Sequence, residues 1–115
     1  MAIRLIGERE QFKHEIEGST FTYRRLPADK KVRMVEQCTH RGNVNFEALA
    51  LRACEYGITG WTNVTGDNEA GEPAPIEYDA KLIRLLPEEV RLVLGEKIIG
   101  GRIEEVAAEG TGSPF

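Results

Sequence analysis

Three side chains come nearest to a chemical site. Cys38-Thr39-His40 forms a Cys-x-His pair, and Cys54 lies further along the chain. A structural zinc site needs four donors in closely spaced pairs, and no second pair exists here. No metal and no cofactor are expected. His14 falls in the middle of a strand pattern, where a hydrogen-bonded structural histidine is the simpler reading. Ser19 sits in a turn, with no elbow sequence around it and no base beside it to activate its hydroxyl. Glu15 and Glu17 share one predicted strand face and read as solvated charges. The glycine stretches at 57–60 and 95–101 lack the spacing and the following Lys-Ser/Thr of a phosphate loop. Asp67, Glu69 and Glu72 miss the ligand periodicity of a calcium loop. Asn63-Val64-Thr65 matches a glycosylation sequon, which matters only in a secreted chain. These residues together point away from an enzyme.

The elements that would position such residues fit one domain. At 115 residues, folding can bury roughly two-thirds of the extended surface, enough for a core without staples. Hydrophobic residues make up 41% and charged residues 30%, an ordinary globular balance. The formal charge is −4, unevenly spread: residues 1–45 hold nine Lys/Arg against six Asp/Glu, and the rest hold six against thirteen. The acidic second half disfavours nucleic acid, which is bound by neutralising phosphates. The basic group Arg24, Arg25, Lys30, Lys31 and Arg33 reads as a solvated face. The charge asymmetry can orient subunits or partners. No signal peptide, membrane span or lipidation motif is visible, so a cytoplasmic protein with reduced, buried Cys38 and Cys54 is expected.

The first segment alternates in the manner of strands. Phe12, His14 and Ile16 interleave with Lys13, Glu15 and Glu17, and Phe21 and Tyr23 mark the return strand. Gly18-Ser19 predicts a type II′ turn between them, and Ile3–Ile6 is the candidate third strand. Helical spacing predicts helices at about 28–39 and 46–56, with Asn45 as an N-cap, and at about 79–85 and 87–107, the last bent or ended near Gly100. Ala48, Ala50 and Ala53 would let another helix approach closely. Residues 65–75, rich in Gly, Asp, Asn, Glu and Pro, read as a loop. The expectation is an α+β domain over 1–109: an antiparallel hairpin or three-stranded sheet within about 2–26, packed on four helices, with a flexible tail at 110–115.

The order of short motifs carries a resemblance. Phe12, Glu15, Ile16, Gly18, Phe21, Arg24 and Leu26 mark the hairpin. Ile58-Thr59-Gly60-Trp61 follows a helix, then come an acidic loop from Asp67 to Pro73 and the helical entry Ile83-Arg84-Leu85-Leu86-Pro87-Glu88-Glu89-Val90. From Phe12 to Ile99 this order resembles the tail assembly chaperones of tailed bacteriophages and prophages. The resemblance implies a non-enzymatic protein in the bacterial host cytoplasm. It would keep the tape measure protein soluble while tail tube subunits assemble, and it would be able to form homo-oligomers. Neither a nucleic-acid nor a membrane partner is implied.

An extended helical client calls for exposed apolar patches rimmed by charge. The candidate contact residues are Leu49 and Ala53 on the second helix, Val90, Leu94 and Ile98 on the last, and Trp61 between them. Ordinary core burial is the competing account of the helix stripes. For Trp61 the alternatives are an anchor, its indole N–H on a backbone carbonyl, or a residue inserted into a partner. Two other functions remain open: a structural tail or head–tail component of the virion, or a small enzyme or ligand-binding domain.

Overall fold

The computed structural model describes residues 2–7 and 9–106. Strands β1 (Gln11–Ile16) and β2 (Ser19–Arg24) form the hairpin, and α1 (Ala28–Gln37) follows. Two short strands, β3 (Thr39–His40) and β4 (Asn43–Val44), lead into α2 (Phe46–Gly57). Then come β5 (Ile58–Thr62), β6 (Thr65–Asp67), β7 (Pro73–Pro75), a 3₁₀ helix (Ala80–Leu85) and α3 (Glu88–Ile99). The protein has an α+β fold, with an antiparallel sheet in the order β1-β2-β5.

The hairpin pairs Phe12 with Tyr23, His14 with Phe21 and Ile16 with Ser19, putting the apolar positions on one face as the alternation requires. Its turn differs from expectation. The loop residues are Glu17 and Gly18, both at positive φ (49° and 87°), which makes a type I′ turn. Glu17 therefore sits in a left-handed conformation that side chains other than Asn, Asp and Gly seldom adopt.

The third strand is β5, and Ile3–Ile6 forms no strand at all. The physical reason lies in a bulge. Ile58 and Trp61 are three apart, so a regular strand would send them to opposite faces. The register with β2 slips between Thr22 and Tyr23, leaving Thr59 unpaired. That extra residue turns both side chains inward, where they are buried. Ile3 and Leu5 offer no comparable burial, at 94% and 89% exposed.

α1 ends at Gln37, earlier than its spacing predicts, because Arg41 and Gly42 make a second tight turn with positive φ that pairs β3 with β4. Asn45 caps α2 as expected, its side chain accepting from the Ala48 N–H at 3.0 Å. Residues 65–75 are not a plain loop: β6 and β7 pair as a hairpin. The Asn68 side-chain oxygen accepts from the Ala70 and Glu72 N–H groups and closes the turn. The short helix at 79–85 is a 3₁₀ turn capped by Asp79, whose carboxylate accepts from the Lys81 N–H. α3 ends at Ile99 with Gly100 at φ 85°, the break expected near Gly100, so the stretch expected over 87–107 is two pieces within the described residues. Helical residues 103–106 follow, their start held by the Glu96 carboxylate, which accepts from the Ile103 N–H at 2.9 Å. The tail expected at 110–115 lies outside the described residues.

The core forms where α2 and α3 pack against each other under the sheet. Their contact runs through small residues. An added Cβ at Gly95 would stand 3.2 Å from the Ala50 Cα, and one at Gly57 would stand 2.6 Å from Ile98 side-chain atoms. Of the close approach foreseen at Ala48, Ala50 and Ala53, the one at Ala50 is thus made within the chain, by α3.

Candidate functional site

Most of the expected contact residues lie in the core. Leu49, Ala53, Leu94 and Ile98 are 0% exposed. All four belong to one buried core cluster and cannot reach a partner while the fold is closed. Val90 is half-buried against the same core. Trp61 is an anchor: its indole N–H donates to the Ile76 carbonyl at 2.9 Å. Its ring meets Phe21 and Tyr78 edge-on, at centroid distances of 6.2 and 5.1 Å. The Tyr78 hydroxyl donates to the Ile58 carbonyl at 2.9 Å, so the segment after β7 is pinned onto β5 at two points.

The residues with chemical potential are separated. Among the described residues no group of three His, Cys, Asp or Glu is placed to hold a metal ion. His14 is half-buried on the core-facing side of β1, its pKa lowered by burial and by the Lys97 charge. Arg24, in the basic group, is structural: it donates to the Tyr56 carbonyl at the end of α2, and its guanidinium lies 4.2 Å from the Tyr56 ring centroid. That contact suits the negative end of a helix.

Both cysteines are free and buried. Burial pushes the Cys54 thiol up to about 12, with the Arg91 charge opposing it. Its Sγ donates to the Arg91 carbonyl at 3.2 Å. Burial raises Cys38 as well, opposed by Arg52. A thiolate is the reactive form, so neither thiol should label in the native protein at pH 8, and both should label on unfolding, as followed by a chromogenic disulfide reagent. Stability has a matching pH dependence. Between 9.0 and about 12 the unfolded chain releases the Cys54 proton while the folded chain keeps it. The Cys54 contribution to stability is therefore fully present below that window and lost as pH rises through it.

Among the described residues, one surface groove, of about 490 Å³, lies where the starts of α2 and α3 meet residues 102–104. Its floor includes Phe46, Ala50, Leu92 and Ile103. Phe46 and Leu92 are large apolar side chains left 45% and 43% exposed. Glu47, Glu88, Glu89, Glu96 and Glu104 line it, against Arg91 and Arg102. The neighbouring Glu47 raises the Glu88 pKa, first by side-chain hydrogen bonding to the protonated form and then by charge repulsion. The Arg91 Nε is buried without a hydrogen-bond partner. A groove with an apolar floor and an excess of crowded carboxylates complements a ligand that is apolar on one side and cationic at its edge.

Sequence reasoning missed this site because each lining residue has a local explanation. Phe46 continues the apolar stripe of α2, and Glu88 and Glu89 suit the positive end of α3. The available signal was that both helices begin with acidic residues, Glu47 in one and Glu88 and Glu89 in the other. No helix among the described residues is long and apolar enough to cross a membrane. A scan against protein-family models matched none, and searches of the curated proteins and of the solved structures likewise returned no match.

Proposed function

We propose that this chain is a non-enzymatic protein-binding module that acts as a phage tail assembly chaperone, keeping the tape measure protein soluble before tail tube subunits enclose it. The observation that carries the binding role is the acidic, apolar-floored groove at Phe46 and Leu92. An amphipathic helix with Lys or Arg flanking its apolar stripe matches that groove in shape and charge. The order of motifs from Phe12 to Ile99 supports the tail-assembly role. In this reading the work is done in the cytoplasm of the bacterial host, with no cofactor and no nucleic acid.

The test of the role is genetic neighbourhood followed by co-expression. A very long, helix-rich reading frame should lie just downstream, and its product should stay soluble only when co-expressed with this chain. Glu47→Lys combined with Glu88→Lys should abolish that effect while the chain remains folded. A neighbourhood without virion-assembly genes removes the chaperone role and leaves the groove to be explained otherwise.

A further inference from the structure

The segment Ala2–Gly7 is the most exposed apolar stretch among the described residues. It forms neither helix nor strand. Ile3 and Leu5 are 94% and 89% exposed, with Ile6 at 47%. The base of this arm is held: Ile6 and Gly7 sit beside Arg25–Pro27, and the Glu10 N–H donates to the Gly7 carbonyl at 3.1 Å. Its tip carries two apolar side chains flanking a cation, Arg4, which is paired with Glu10 at the surface. An exposed pair of that kind adds little and is readily exchanged.

The arm therefore has the character that the groove lacks. We propose that residues 2–6 of one copy of this chain dock into the acidic groove of a second copy. Ile3 and Leu5 cover Phe46 and Leu92, and Arg4 meets the Glu47–Glu88 pair. In an extended segment Ile3 and Leu5 point to the same side and Arg4 to the other, so the apolar pair lies on the floor while the cation reaches the rim. Arm and groove are different surfaces, so the contact is head-to-tail and builds a closed ring or an open chain rather than a two-fold dimer. This rests on the groove being a protein-binding surface and adds a regulation to it. A client helix and the arm compete for one site, so client binding dissociates the assembly.

The test is analytical ultracentrifugation of the full chain over a range of concentrations. The wild type should associate reversibly. Leu5→Asp and Arg4→Glu should each weaken association at least about tenfold, as should Glu88→Arg, and the double variant Arg4→Glu/Glu88→Arg should recover most of the loss. The arm lies outside the core, so circular dichroism of Leu5→Asp should match the wild type. A wild type that stays monomeric overturns the proposal, including one whose arm folds onto its own groove. Association that survives Leu5→Asp overturns it too. A designed cationic amphipathic peptide, titrated separately into Leu5→Asp, keeps the two claims apart. Peptide binding without self-association defeats the arm and spares the groove's function. Self-association without peptide binding does the reverse.

Discussion

Trp61→Ala should destabilise the protein by about 3–5 kcal/mol, seen as a large drop in the urea midpoint. The indole is buried between Phe21 and Tyr78, so truncation removes two aromatic contacts and leaves a cavity beneath β5. It also frees the Ile76 carbonyl, which accepts the indole N–H. Trp61→Phe separates the two contributions. It keeps most of the apolar volume but leaves that carbonyl without its donor, for a loss of about 1–3 kcal/mol. The Phe variant should also be cut faster by protease between residues 65 and 75, because the β6–β7 hairpin is tied to the core through this latch. A Phe variant as stable and as protease-resistant as the wild type would show that the latch holds nothing.

The second large effect belongs to the α2–α3 contact. Ile98→Ala should cost about 2–5 kcal/mol, since the side chain is fully buried. Gly57→Ala should cost about 1–3 kcal/mol for the opposite reason: the added methyl meets side-chain atoms of the fully buried Ile98 at 2.6 Å, so something must shift to admit it. The two changes are coupled. With Ile98 shortened, the Gly57 methyl occupies part of the vacated space, so the double variant should lose less than the sum of the single losses. Chemical denaturation of the four proteins completes the cycle. Strict additivity would mean that the backbone already moves apart at Gly57.

The hairpin was legible because both its strands alternate without interruption and Gly18 marks the turn. β5 was not, because the Thr59 bulge breaks the period-two pattern by which a strand is recognised. The β6–β7 hairpin was hidden for another reason. Its residues Gly66, Asp67, Pro73 and Pro75 have low strand propensity, and its order comes from Asn68 at the turn and from Trp61 and Ile76 beneath it. Gly95 illustrates the limit of propensity. In sequence it only weakens a helix, while in the fold it is where α3 touches the Ala50 backbone.

The candidate site was hidden by a different ambiguity. An apolar stripe announces burial but does not name its partner. Leu49 and Ala53 on α2, and Leu94 and Ile98 on α3, carry the strongest stripes, and they satisfy one another. The surface left over is set by where the helices begin, not by where they are most apolar. Phe46 and Leu92 stay half-exposed because the core has closed behind them, and the glutamates that favour the helix starts then surround them.

The groove's role as a protein-binding surface is tested most directly by a fluorescence titration. A designed helical peptide with lysines flanking a leucine stripe is titrated into the wild type and into Glu47→Lys/Glu88→Lys. A scrambled peptide of the same composition, lacking the stripe, is the control. Saturable binding of the amphipathic peptide to the wild type alone is predicted. Binding should weaken as pH falls through the carboxylate range, starting above the ordinary glutamate value because the Glu88 pKa is raised. Equal binding of both peptides, or binding unchanged by the double substitution, would contradict the assignment.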